Sequence, residues 1–141
     1  MNTPPHIGLR RHRDPAVQLQ LDGRLHTAVI FWDQTGNRGI REAYRKGANI
    51  DALHYNSLND SWDGNLHLAV RHSPKAIKML LRLGVDTALL DSNKATASEV
   101  ASSLGMKKYS RTIDRWDGSL RQRIVHLLHP LHRPVRYLNA N

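Results

Sequence analysis

Two histidines occupy the same place in two similar octapeptides, DGRLHTAV (residues 22–29) and DGNLHLAV (residues 63–70). An imidazole near a carboxylate could act as a general base, and two imidazoles could ligate a metal ion. The copies lie 41 residues apart, with His26 and His67 at the equivalent position. The pair is therefore either a reactive site or the mark of a repeated structural unit.

A second histidine cluster lies in the string HLLHPLH, which holds His126, His129 and His132. A spacing of three brings two imidazoles to one face of a helix, and His is a common zinc ligand. However, Pro130 interrupts the helix before the third histidine, and no carboxylate or Cys nearby completes a tetrahedral set. We expect no metal ion and no cofactor, with a His-dependent metal-binding protein or enzyme as an alternative.

Sequence motifs for catalysis are missing. The chain has no Gly-rich phosphate loop, no nucleophile elbow and no His-Glu-x-x-His string. Asp60 and Asp63 lie in a predicted hairpin or loop, where acids form turns and cap the next helix. Asp22 and Asp117 also precede Gly, which predicts the same role for them. We predict that the protein is not an enzyme.

Composition indicates one domain of 141 residues in a cytoplasm-like compartment. The absence of Cys excludes disulfides, thiolate metal sites and a Cys nucleophile. The apolar runs are too short to cross a bilayer, and basic residues stand where a secretory signal needs its apolar core.

The formal net charge of +9 predicts attraction to acidic proteins, nucleic acid or anionic membranes. The alternatives are a solvated basic surface and a specific polyanion site. The charge is spread over an N-terminal cluster, one face of a predicted helix and the C-terminal quarter. These groups are Arg10, Arg11 and Arg13; Lys75, Lys78 and Arg82; and Lys107, Lys108, Arg111, Arg115, Arg121, Arg123, Arg133 and Arg136.

Each octapeptide is followed by a second helical pattern that ends in Gly, IREAYRKGANIDA (residues 40–52) and AIKMLLRLGVDTA (residues 76–88). Gly47 and Gly84 thus fall where a helix C-cap needs a left-handed residue. Ser73 and Pro74 are suited to the N-cap and first position of the second of these helices.

A third unit begins at DSNKATASEVASSLG (residues 91–105), with a helix predicted to start at Thr96-Ala97. Ala101 is in register with Ala28 and Ala69, at offsets of 41 and 32 residues. Small residues at these positions would let the helices of neighbouring units approach closely.

The combined pattern resembles the ankyrin repeat, in which a T-P-L-H-x-A-like helix start and a G-A-x-(I/V)-(N/D) end recur about every 33 residues. The resemblance covers roughly residues 20 to 115. Gly-Arg at 23–24 and Gly-Asn at 64–65 replace the usual Thr-Pro, WDQTGNRG at 32–39 is an insertion, and the link from 52 to 62 is long.

The resemblance implies an all-α helical-repeat solenoid with a C-terminal capping helix. Its repeats would span about 20–55, 56–90 and 91–115. They follow a basic N-terminal segment or partial cap at 1–19 and precede a terminal repeat or capping helix with a basic tail at 116–141. A partner-binding helix is the alternative for that tail.

In this family the repeated histidine typically hydrogen-bonds backbone in neighbouring turns, so the resemblance implies that His26 and His67 brace the stack. The positions expected to maintain the repeat are His26, Ala28, Gly47, His67, Ala69, Gly84, Thr96 and Ala101.

The resemblance also implies a protein-binding scaffold, which meets its partner with the first helices and the hairpin tips. The tips would lie near Tyr55, Asp60, Trp62, Asp91 and Asn93. Trp62 would either anchor a partner or pack on the neighbouring unit. A partner with an acidic patch would be attracted by the basic residues, in particular Lys75, Lys78, Arg82, Arg121 and Arg123.

The family includes small microbial and viral proteins that act on a host's proteins. The resemblance is therefore compatible with an effector or inhibitor that is delivered into a host cell, as well as with a cytoplasmic protein. A nucleic-acid or polyanion binder that uses the same basic residues is the alternative.

Overall fold

The computed structural model describes residues 14–58 and 60–116, and this part of the chain is mostly helical. It contains α1 (Pro15–Ile30), α2 (Trp32–Arg45), α3 (Asn65–His72), α4 (Ile77–Arg82), α5 (Ala97–Ser103) and α6 (Lys107–Arg115). Two strands, β1 (His54–Asn56) and β2 (Ser61–Asp63), pair antiparallel, and a short 3-10 turn (Pro74–Ala76) precedes α4. This sheet is an addition to the all-α class predicted from the sequence.

Several predicted features lie outside the described residues. They are the N-terminal arginine cluster, the capping helix after Asp117, the C-terminal histidines, and Arg121 and Arg123.

The helices pack in pairs. Helix α1 contacts α2, α3 contacts α4, and α5 contacts α6; α3 also packs between α1 and α5. Buried apolar residues line these contacts and form one core, which includes Leu25, Val29, Ile40, Leu66, Val70, Ile77, Leu80, Leu81, Ala101 and Ile113. Ile77, Leu80 and Leu81 form the buried apolar face of α4.

Three helices end in the same way. Gly47, Gly84 and Gly105 have φ values of 111°, 87° and 78°, which confirms the left-handed caps predicted at the first two positions. In each case the amide of the following residue donates to a carbonyl five residues back, the Schellman arrangement. These bonds join Ala48 to Ala43, Val85 to Leu80 and Met106 to Ala101 at 3.1, 3.2 and 2.8 Å.

Helix α1 begins earlier than the repeat pattern predicts. Asp14 caps it by accepting a hydrogen bond from the Ala16 amide, and Pro15 occupies the first turn. The predicted boundary between residues 19 and 20 therefore falls inside the helix. Asp22 also lies within α1, so its predicted N-cap role is wrong. Its carboxylate instead accepts from the Asn49 amide at 2.8 Å.

The insertion at residues 32–39 is helical and belongs to α2. The helix is kinked at Gly36, whose φ of 62° and ψ of −155° are not helical. A Cβ added at Gly39 would lie 3.5 Å from the Cβ of Ala28 and 2.3 Å from Thr35 Oγ1. Helices α1 and α2 therefore approach closely at Ala28, a contact within one predicted unit rather than between neighbouring units.

Helices α3 and α5 each start with a residue at the third position that reaches back to the N-cap. The Gly64 amide donates to His67 Nδ1 at 3.2 Å, and the Thr96 amide donates to the Glu99 carboxylate at 2.8 Å. The helix start predicted at Thr96 is therefore confirmed. The N-cap of α3 is Gly64, so the capping role predicted for Asp63 is wrong.

Ser73 has a different role from the one its sequence position predicts. It makes no side-chain cap for the turn that follows. Its hydroxyl donates instead to the carbonyl of Ile30 at 2.9 Å, which ties the end of α3 to the end of α1.

Candidate binding surfaces

The hairpin formed by β1 and β2 carries an exposed aromatic pair, Tyr55 and Trp62. The two residues are opposite each other in the strand register, and their ring centroids lie 5.7 Å apart in an edge-to-face arrangement. The side chains are 51% and 50% exposed. Large aromatic rings held in water at a loop tip present apolar area to a partner.

The hairpin aromatic pair is held in place from two directions. The Tyr55 hydroxyl donates to Asp60 at 2.6 Å, and this bond raises the pKa of the tyrosine because the carboxylate would repel the phenolate. The backbone of Trp62 exchanges hydrogen bonds with Ser92 in the loop before α5, at 2.8 and 3.1 Å. Thus the backbone of Trp62 is fixed to the loop before α5 while its ring stays half exposed.

Other exposed apolar side chains accompany the pair. Leu53 and Leu58 flank the strands, and Leu90 lies two residues before Ser92; they are 42%, 86% and 46% exposed. Together with the aromatic pair, they are five of the nine exposed large apolar side chains in the described part of the chain. The exposed apolar residues are therefore concentrated around the hairpin and the following loop.

Asp91, predicted at a tip, has a structural place instead. It is buried, and one carboxylate oxygen accepts the amides of Asn93 and Ala95 at 2.9 Å each. Arg71 pairs with it at 3.8 Å and with the fully buried Asp63 at 2.9 Å. Asp91 thus offers no exposed carboxylate to a partner, whereas Asn93 is exposed.

His67 braces two loops, as predicted. Its Nδ1 accepts from the Gly64 amide, so its Nε2 carries the proton and donates to the Ala95 carbonyl at 2.9 Å. The imidazole is buried and connects the start of α3 to the loop before α5.

His26 makes a different contact, although it is the sequence equivalent of His67. Gly23 lies inside α1, so no helix start supplies the amide that Gly64 gives to His67. The ring packs instead against His54 of β1, with centroids 4.2 Å apart and planes tilted by 35°. His26 Nδ1 and His54 Nε2 are buried without a hydrogen-bond partner in the described part of the chain, so bracing by hydrogen bonds is not found for His26 Nδ1.

Both imidazoles of this contact have lowered pKa values, mainly because they are buried. Burial lowers the pKa of His54 to about 4, helped by His26 and opposed by Asp22. Burial also lowers the pKa of His26, helped by His72 and opposed by Asp63. Within residues 14–58 and 60–116 no group of three or more His, Cys, Asp or Glu is placed to hold a metal ion.

The predicted cations Lys75, Lys78 and Arg82 are exposed on the 3-10 turn and α4. The ammonium of Lys75 lies 5.8 Å from the ring centroid of Trp32, at the outer range of a cation–π contact. Trp32 is only partly exposed, and its Nε1 donates to Asn37 at 2.9 Å.

Charge is segregated among the helices, a feature that was not predicted from the sequence and that becomes visible once the helix bounds are known. We use the name "basic helices" for α2 with Lys46, the 3-10 turn with α4, and α6. They carry eleven of the fourteen Lys and Arg in the described residues, but only three of the eleven acids. The remaining elements hold three basic and eight acidic residues. All eleven cations are exposed: Arg38, Arg41, Arg45, Lys46, Lys75, Lys78, Arg82, Lys107, Lys108, Arg111 and Arg115.

No model of a known protein family matches the sequence, and a search of curated proteins finds no similar chain. Among the described residues, no helix has both the length and the apolar character needed to span a bilayer. Function is therefore inferred from the surfaces described above.

Proposed function

We propose that the chain is a small ankyrin-like stack of helical pairs that binds another protein, without catalysis, through its hairpin aromatic pair. Two short helices cannot bury their apolar faces alone, so neighbouring pairs must stack. The contacts of α3 with both α1 and α5 are those expected of such a stack.

Equivalent loops support the repeat. Asn49 and Asp86 both follow a left-handed glycine by two residues. The amide of each donates at 2.8 Å to a carboxylate earlier in the chain, Asp22 and Asp51 respectively. The side chain of each also accepts the amide two residues further on at 3.0 Å. A turn that recurs in this detail favours a repeated unit over a chance similarity.

The observation that carries the binding proposal is the fixed exposure of Tyr55 and Trp62. Asp60 and Ser92 already hold this pair, so a partner would bury the rings with little further loss of conformational freedom. Rigid aromatic side chains of this kind dominate the energetics of protein interfaces.

The partner is expected to carry an acidic patch. The cations of the basic helices would attract such a patch at long range and raise the association rate, while the aromatic pair supplies most of the short-range affinity. Added salt should therefore slow association more than it speeds dissociation.

The test starts with capture of partners from the native cytoplasm and, because the resemblance includes effector-type proteins, from that of a host. The affinity of a purified partner is then measured by calorimetry for three variants. We expect Trp62→Ala to weaken binding by roughly 30-fold and Tyr55→Ala by less, as for hot-spot residues. Phe31→Ala, which removes another half-exposed aromatic ring, should change the affinity by less than about threefold.

Circular dichroism establishes that each variant keeps the fold. Unchanged affinity in both hairpin variants would contradict the proposal, and so would an equal loss in Phe31→Ala.

A further inference from the structure

We propose that the basic helices form a second binding surface, which contacts the phosphate backbone of double-stranded nucleic acid. This goes beyond the protein-binding proposal, because it concerns other residues and a different class of ligand.

The first support is the density and position of the charge. Eleven exposed cations lie on three helices that pack against α1, α3 and α5 in the same order along the chain. Only Asp33, Glu42 and Asp114 oppose them, and residues 74–82 contain no acid. The ion pair of Arg38 with Glu42 in this set is long at 3.6 Å and largely exposed. Such a surface gains free energy from a polyanion by releasing its condensed counterions.

The second support is the lack of apolar anchors. None of the nine exposed large apolar side chains of the described residues belongs to the basic helices; Phe31 and Leu104 lie in the adjoining connections. A protein interface needs a desolvated apolar or aromatic centre, whereas a phosphate backbone can be bound by charge alone. The surface therefore fits nucleic acid as the ligand in direct contact with it, whereas the acidic patch of the protein partner would be attracted to it only at long range.

The lack of exposed aromatic rings on the basic helices favours a duplex over a single strand as the ligand. Single-stranded nucleic acid is usually bound by stacking its bases on exposed aromatic rings. The aromatic residues of the basic helices, Trp32, Tyr44 and Tyr109, are partly buried and pack against the core. A duplex keeps its bases stacked internally and presents only phosphates, so it matches this surface.

The rest of the described chain would orient the ligand. Outside the basic helices the acids outnumber the cations by eight to three, which repels a polyanion. A nucleic acid is therefore expected to contact the basic helices and to leave the hairpin free for its protein partner.

The test is fluorescence anisotropy of the full chain with labelled 20-base-pair DNA and RNA duplexes of mixed sequence, titrated at several salt concentrations. The key variant is Lys78→Gln/Arg82→Gln. Its matched control, Arg24→Gln/Lys94→Gln, removes the same charge from exposed positions outside the basic helices. Lys75 is left intact because it contacts Trp32.

If both replaced side chains contact phosphates, the slope of log affinity against log salt should become shallower by about 1.8. Near 0.15 M salt this corresponds to a roughly 30-fold loss of affinity, against about threefold or less for the control pair. The tighter of the two duplexes then identifies the nucleic acid.

Four results would overturn the proposal. They are failure to bind either duplex, equal losses in the two double variants, tighter binding of a 20-nucleotide single strand, and displacement of the duplex by polyglutamate at equal charge concentration. The last result would assign the surface to an acidic protein. A hairpin variant such as Trp62→Ala should leave duplex affinity unchanged. The protein-binding proposal can therefore fail without affecting this test.

Discussion

The hairpin and the basic helices belong to the same fold, but their surfaces differ in exposed apolar area and in the sign of their charge. Around the hairpin, large apolar side chains are exposed and acids outnumber cations. The basic helices expose cations and no large apolar side chain. A small helical fold can therefore expose apolar side chains around its hairpin and a charged surface on its helices.

The division has a physical origin in the backbone. The loops contain amides without helical partners, and carboxylates accept them, as Asp22, Asp51 and Asp91 do. Amides inside a helix bond to carbonyls of the same helix, so the helices do not need nearby carboxylates to accept them. Their C-terminal turns favour cations instead, because the helix dipole is negative there, and Arg45, Arg82 and Arg115 occupy the last turns of α2, α4 and α6.

The buried ion pair of Arg71 with Asp63 of the hairpin should stabilise the fold more than any exposed cation of the basic helices does. Arg71→Met leaves the carboxylates of Asp63 and Asp91 buried without their cation. Removing one member of a buried ion pair costs about 3–5 kcal/mol, so the free energy of unfolding in urea should fall by that order. Arg24→Met, at an exposed site on α1, is the control and should change it by less than about 0.5 kcal/mol. Equal effects would mean that Arg71 does not support the hairpin.

The next effect concerns pH. The pKa of His54 falls from 6.5 in the unfolded chain to about 4 in the fold, and that of His26 is also lowered. Between these two pKa values the unfolded chain binds more protons than the folded chain does. The free energy of unfolding should therefore have its full value above pH 6.5 and decrease as the pH falls towards 4. Allowing for solvent screening of the half-buried ring, His54 contributes about 1–3 kcal/mol to this decrease.

Two variants check the pH effect by urea unfolding at pH 7.5 and 4.5. His54→Phe keeps an aromatic ring against His26 but does not titrate, so the loss between the two pH values should be smaller. His72→Asn, at an exposed site whose charge acts on His26, should keep most of the loss. An unchanged loss in His54→Phe would show that the histidine contact is not responsible.

A smaller effect tests the start of α5, which follows the loop that supports Trp62. Thr96→Ala removes the hydroxyl that accepts the Glu99 amide at 3.2 Å. Losing such a cap costs about 1 kcal/mol, and Thr96→Ser should keep most of the stability. Thermal unfolding followed by circular dichroism measures the difference, and equal stability of the two variants would contradict this role.

The smallest effect distinguishes binding from folding in the basic helices. Lys78→Gln/Arg82→Gln should change the free energy of unfolding by less than about 0.5 kcal/mol, because both side chains are exposed. A loss of more than about 2 kcal/mol would mean that these cations maintain the fold.

Local signals in the sequence were sufficient for much of the fold. Gly47 and Gly84 mark helix ends because only a residue tolerant of positive φ fits there, and Thr96 marks a helix start. The early start of α1 was also readable, since Asp14-Pro15 is a typical cap and first turn. It was missed because the repeat pattern placed the start at the Gly-Arg of residues 23–24.

The candidate surfaces were harder to predict from the sequence than the fold, because they depend more on tertiary contacts. The exposed hairpin position of Tyr55 and Trp62 was anticipated from the resemblance. The pairing of Asp63 with Arg71 joins β2 to α3, and the contact of His26 with His54 joins α1 to β1. No local sequence pattern encodes either contact. The segregation of charge required the helix bounds, because the cations are scattered along the chain.

A photo-crosslinking amino acid placed at position 62 or at position 78 of the full chain, and irradiated in the native cell, directly tests whether the hairpin and the basic helices bind different ligands. We expect protein adducts at position 62. At position 78 we expect nucleic-acid adducts, which nucleases remove. The same adducts at both positions, or protein adducts at 78 and nucleic-acid adducts at 62, would contradict this expectation.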